Sequence, residues 1–252
     1  MIYGTNAACA LWLYPYHTVG FQKVLDSTEK TEHQNNIDDD DIKLMQKIIK
    51  YTPRPAYVQQ IGKTLLCLLF SNCEANYLAM HWRYDKMDWI LHCKRPNYKD
   101  SQTCHIVLNA LDNLESTAEK IVDYVKLMQK QQKFVGMYIA APLNAAPLIS
   151  TIRKALSESL PGFKVITGED SLPMVEAFYP KCEYLKENLH DVFSLVEMEI
   201  CARSKLFLSS GGSSWSLNIA QERRIDQVDA NDRENLEVIS DGKVGRLDLE
   251  ED

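Results

Sequence analysis

Two stretches bring together residue types that can hold an anion. The first is FLSSGGSSWSLNIAQERR at 207–224. A short apolar strand runs into two glycines and two serines, and then into a segment with helical character that closes on a basic pair. A helix N-terminus carries unpaired backbone N–H groups and a partial positive charge, so it favours anions. Gly211 and Gly212 let the backbone approach a ligand closely, and Ser213 and Ser214 add hydroxyl donors. The same residues also fit an ordinary strand-to-helix turn in which Ser213 or Ser214 caps the helix.

The second stretch is AMHWRYDKMDW at 79–89. It places Arg83 two residues beyond His81 at the end of an apolar run. A guanidinium there can grip a phosphate with two parallel hydrogen bonds, which a lysine cannot. A surface pair with Asp85 or Asp88 is the alternative on these residues alone. Trp82 and Trp89 are expected to pack. At the far end of the first stretch, Glu222 and Arg223 complement a helix C-terminus. Arg223 could also pair with Glu197 or Glu199, so a supporting role is expected for both. Together, Arg83 and the Ser-Gly turn would clamp a diphosphate across a cleft. That suits a nucleotide-sugar transferase, whose departing nucleoside diphosphate develops negative charge.

The elements that must position these groups follow from pattern. A helix is expected from about 57 to 70, after Pro53 and Pro55, then a strand within 76–85. An amphipathic helix is expected at about 111–132, and the near-continuous apolar run FVGMYIAAP at 134–142 reads as a buried parallel strand. A helix at about 145–160 stops at Pro161 and Gly162; the strand FKVIT and a loop GEDSLP follow. A helix at about 188–203 and the strand KLFLSS complete an alternation that predicts an α/β fold with a parallel sheet. In such sheets ligands bind beyond the carboxyl ends of the strands.

Composition narrows the classes. The 252 residues are 45% hydrophobic, enough for a normal core, and carry a formal charge of −7, which argues against a nucleic-acid surface. No apolar run reaches the roughly 20 residues of a membrane helix. The acidic segment at 27–41 reads as an exposed loop. Seven cysteines show no metal-binding spacing. Cys93 and Cys104 could close a loop as a disulfide, or with His92 and His105 hold a zinc ion.

YLAMHWRYDKMDW and EMEICARSKLFLSSGGSSWSLNIAQERR together resemble the GDP-fucose protein O-fucosyltransferase superfamily over roughly residues 55–224. Members carry an H-x-R motif after a strand and, later, a serine pair followed by Phe or Trp and then Glu-Arg. Ala141 stands where the family commonly has Thr or Ser, and the family's N-terminal glycine-rich motif of the G-x-x-x-N-Q kind is not found here. The resemblance implies a GT-B-like fold of two Rossmann-type lobes, with an incomplete N-terminal lobe at 1–132 and a nucleotide-binding lobe at 133–252. It implies inverting transfer of fucose from GDP-fucose to a protein or glycan hydroxyl in the ER or Golgi lumen, with no essential metal or other cofactor. Arg83 would be the catalytic residue holding the diphosphate. His81, Gly211, Gly212, Ser213, Ser214 and Trp215 would join it at the donor, with Glu222 and Arg223 in support. The missing motif leaves Asp85, Asp88 and Glu169 as unassigned carboxylates, and raises the alternative of a non-catalytic binding protein with the same fold.

Overall fold

The apolar segments at 78, 136, 164 and 206 are short because each spans only the buried middle of one sheet. In the computed structural model, residues 53–96, 102–178 and 182–209 are described, with positions 47, 213, 215–216, 218–220 and 222–223. The acidic segment 27–41, Gly211, Gly212 and Ser214 lie outside the described residues. Strands β1 (Leu78–His81), β2 (Gly136–Ala140), β3 (Lys164–Thr167) and β4 (Leu206–Ser209) pair in the order β3-β2-β1-β4, all parallel. β1, β2 and β4 are buried at every position. Helices on both faces of the sheet require this, and it explains why these strands read as apolar runs rather than alternating ones.

Helices α1 (Ala56–Phe70), α2 (Lys86–Cys93), α3 (Gln102–Asp112), α4 (Leu114–Gln131) and α5 (Ala146–Ser159) come before β3 or flank β2. α6 (Gly168–Phe178), α7 (Glu183–Glu187) and α8 (Leu189–Arg203) connect β3 to β4. One core joins Leu78, Met80, Met137, Ile139 and Leu208 to α3, α4 and α5 through Val107, Ile121, Val125, Leu148 and Ile152. The other joins Ala79, Tyr138, Ala140 and Phe207 to α1, α6 and α8 through Ile61, Leu65, Val175, Val196 and Ile200. Neighbouring residues along each strand face opposite cores, as the pleat dictates. The result is three layers, helices over sheet over helices.

Three expectations change. The helix expected over 111–132 is two, α3 and α4, meeting at Asn113, whose amide donates to the Asn109 carbonyl at 3.0 Å. GEDSLP begins α6 rather than a loop, with Pro173 inside the helix. Asp170 stabilises this start by accepting from the backbone N–H of Thr167 at 2.8 Å and from its hydroxyl at 3.1 Å. The expected lobe boundary at 132/133 falls within one sheet, because β1 is hydrogen-bonded to both β2 and β4. Of the two readings of Cys93 and Cys104, the disulfide is the one present, with Cα atoms 5.7 Å apart, so their sulfurs are bonded to each other and cannot serve as the thiolates of a zinc site. Cys67 and Cys73 form a second disulfide, and Cys182 is also disulfide-bonded. Cys201 is a buried free thiol.

Candidate functional site

The chain builds β1, β2 and β3 outward in one direction, then returns to lay β4 on the other side of β1. The crossovers therefore diverge between β1 and β4 and open a crevice beyond their carboxyl ends. His81, the last residue of β1, is in register with Ser209, the last of β4. Arg83 follows the first and Ser213–Ser216 the second. The sequence places Arg83 and the serine turn in different lobes; the structure brings them to adjacent strands of one sheet.

The two strand ends touch directly. His81 Nδ1 and Ser216 Oγ are 2.6 Å apart, and the Trp215 ring lies over the imidazole with centroids 4.1 Å apart and planes at 34°. His81 is only 8% exposed. Burial, and after it the charge of Arg83, pushes its pKa down to about 3, so the ring is neutral at physiological pH. Ser213 Oγ accepts from the Ser216 backbone N–H at 3.4 Å, the bond of a helix cap. Residues 215–216, 218–220 and 222–223 are helical. Arg83 is 43% exposed, with Nη1 4.0 Å from Asp88 Oδ2. Asp85 caps α2 by accepting from the Asp88 N–H at 2.9 Å, and it also accepts from Asn144 Nδ2. Trp82 is buried in the core, and Trp82, Tyr84, Trp89 and His92 stack edge to face in sequence, which fixes the segment around Arg83.

Beside this contact lies a pocket of about 480 Å³, lined by Ile139, Pro142, Arg153, Thr167, Phe193, Ser194 and Glu197 among others. It sits beyond the carboxyl ends of β2 and β3. Burial raises the Glu197 carboxyl to about 8. Tyr138 donates to Glu197 Oε1 at 3.0 Å; its own hydroxyl stays protonated because burial and the neighbouring Glu197 push its pKa well above the ordinary value. Ser171 Oγ is also 3.0 Å from that hydroxyl. Trp215 Nε1 donates to Ser194 Oγ at 3.1 Å, which joins the turn after β4 to the pocket wall.

Glu222 and Arg223 act in support. Arg223 donates to the carbonyls of Ala202 at 2.8 Å, of Lys205 at 3.0 Å and of Ser204, binding the end of α8 and the entry to β4. Of the two carboxylates the sequence offered it, Glu199 is instead held by Arg54 and Arg203, and Glu197 accepts from Tyr138. Sequence reasoning missed Ser194, Glu197 and Ser216 as site residues. The signal for Glu197 was available, because a carboxylate inside the apolar run FSLVEMEIC needs a buried partner. Among the described residues no group of three or more His, Cys, Asp or Glu could hold a metal ion, and no helix is long and apolar enough to cross a membrane.

Among solved structures the fold is similar to POFUT1, a GDP-fucose protein O-fucosyltransferase. A POFUT1 complex with GDP in a third crystal form aligns at TM-score 0.47 and 15% identity, over 71% of this chain and 46% of that one. A high-resolution GDP complex aligns at TM-score 0.48 and 14% identity, over 72% and 48%. A GDP-fucose complex aligns at TM-score 0.47 and 14% identity, over 72% and 47%. The chain thus spans less than half the length of these proteins. No protein-family model matches it, and no curated protein matches it by sequence.

Proposed function

We propose that the chain is a fucosyltransferase that takes fucose from GDP-fucose and passes it, with inversion, to a protein or glycan hydroxyl. The observation that carries this reading is the contact of His81 with Ser216 and Trp215 at the crevice between β1 and β4, next to a pocket whose wall holds the half-buried carboxyl of Glu197. In this reading Arg83 and the residues 211–214 hold the diphosphate. Neutral His81 holds Ser216 and, through Trp215, the turn. The acceptor oxygen forms a bond to C1 of fucose while the bond from C1 to the β-phosphate oxygen breaks. The acceptor proton leaves to a base, and GDP departs with the bonding electrons. Arg83 stabilises the charge that develops on the departing phosphate.

The pocket supports guanine as the base. A carboxylate can accept from two adjacent N–H donors on one edge of guanine, an edge on which adenine and uracil cannot offer both. Two carboxyl groups, Glu169 and Glu197, line the pocket, and Glu197, held by Tyr138, is the one assigned this contact. The disulfides favour an oxidising compartment, in keeping with the secretory lumen, and the reading needs no metal. One observation favours a second reading, a GDP-binding protein without transferase activity. Asp85, the nearest carboxylate after Arg83 in the sequence, is already occupied as the cap of α2. Calorimetric titration with GDP, UDP and ADP, followed by an assay of GDP release from GDP-fucose with and without acceptor protein, tests both. Selective GDP binding with fucose transfer supports the first reading. Selective binding with no turnover supports the second, and no binding to any nucleotide contradicts both.

A further inference from the structure

We propose that Arg54, which lies outside the crevice, is a positioning residue for the turn after β4. It precedes α1 and is 7% exposed, and its own carbonyl is held by Gln59 Nε2 at 2.6 Å. Its guanidinium joins two elements. Nε donates to Glu199 Oε2 of α8 at 2.7 Å, and Nη1 lies 2.6 Å from Glu222 Oε2 among the helical residues that follow the turn. Arg203 holds the other oxygen of Glu199. Gly62 of α1 makes room for this arrangement, because a Cβ there would lie 2.7 Å from the Glu199 Cγ.

The helical residues after β4 are thus fixed at both ends. At the far end Glu222 is tied to Arg54, and Arg223 to the carbonyls of Ala202, Ser204 and Lys205. In the middle Ile219 is fully buried, and at the near end Ser216 meets His81. Ser216 and Glu222 are separated by about 9 Å at the rise of a helix. A helix transmits a tilt at one end to the other, so a shift at Glu222 reaches Ser216 and Trp215. A lysine cannot reproduce the link, because it lacks the planar fork that meets two carboxylates from two nitrogens. Removing the guanidinium leaves buried Glu199 and half-buried Glu222 with one partner fewer, and their repulsion displaces Glu222.

The consequence for nucleotide binding rests on the proposed function; the consequence for His81 does not. The test compares Arg54→Met, Arg54→Lys and Glu222→Gln with the unmodified chain by ¹⁵N NMR of the His81 ring at pH 7, assigned with His81→Gln, and by GDP titration. The unmodified chain is expected to show one neutral tautomer. In Arg54→Met and Glu222→Gln, His81 is expected to move toward the averaged shifts of an exposed imidazole titrating near about 6.5, with GDP affinity at least tenfold weaker and Arg54→Lys in between. Glu222→Gln keeps the pair between Arg54 and Glu199 and removes only the charge of the link to the turn, so it decides the matter if Arg54→Met does not fold. Unchanged His81 resonances in the folded variants overturn the proposal, whatever happens to their stability. If the unmodified chain binds no GDP, the nucleotide reading fails while the NMR result for Arg54 stands.

Discussion

The Trp215 indole donates to Ser194 Oγ at 3.1 Å while its ring lies 4.1 Å from that of His81, so one side chain joins the strand-end crevice to the neighbouring pocket. Under the proposed function, the phosphates would lie at the crevice and the base in the pocket.

Arg83 should matter for binding and not for folding. It is 43% exposed, and its pair with Asp88, which is 66% exposed at 4.0 Å, is worth little to stability. Arg83→Ala is expected to weaken GDP binding by about 2 kcal/mol, roughly thirtyfold, through loss of a charge-assisted contact. The thermal midpoint should stay within about 1 °C. Calorimetry and thermal unfolding of the same preparation check both halves.

Glu197 should make nucleotide binding depend on pH. Its pKa of about 8 leaves the carboxyl mainly protonated at neutral pH, whereas pairing with two guanine N–H donors needs the carboxylate. Binding therefore releases a proton, and GDP affinity rises as pH climbs through about 8. Glu197→Gln should lose this dependence and its preference for GDP over ADP. The same group acts on stability with the opposite sign. Its folded pKa lies above the unfolded 4.5, so its contribution is fully present below that value and lost as pH rises through about 8. Urea unfolding at pH 6 and pH 9, compared between the unmodified chain and Glu197→Gln, measures it.

His81 should set the acid limit. Its pKa falls from 6.5 to about 3 on folding, so the unfolded chain binds the extra proton first. Stability is lost as pH falls through that window. His81→Gln, which can still bond Ser216, should flatten the loss between pH 6.5 and 4 in urea midpoints.

Gly136 should be hard to replace. A Cβ there would lie 2.4 Å from the Lys164 carbonyl oxygen of β3 and 2.9 Å from the Phe70 ring. A backbone oxygen in a paired strand cannot rotate away, so Gly136→Ala is expected to cost about 3 kcal/mol, read as a drop in the urea midpoint. Gly162, at φ +83° with open space around it, should cost only about 1 kcal/mol on change to alanine, from backbone strain alone.

The layers of this fold are legible in the sequence because their cause is local. Continuous apolar runs at 136–140 and 206–209 mark strands covered on both faces, and Pro161 with Gly162 marks the end of α5. α6 is not legible because Gly168 and Pro173 are local breakers, while its stability comes from Ser171 and Val175 packed in the core and from Asp170 at its start. Strand order depends on pairing between distant segments, and so does the placement of Arg83 near the serine turn in one sheet. On sequence alone Ser213 fits a phosphate donor or a cap, and the cap bond is present. Ser216 gives no local signal, because its role depends on His81, 135 residues away in sequence.

The decisive experiment is titration of the purified chain with GDP, with UDP and ADP as controls. A single site is expected that takes GDP at least tenfold more tightly than either control and that weakens on Arg83→Ala and Glu197→Gln. Equal binding of the three nucleotides, or binding of none, would contradict the nucleotide site drawn from His81, Arg83, Trp215 and Glu197.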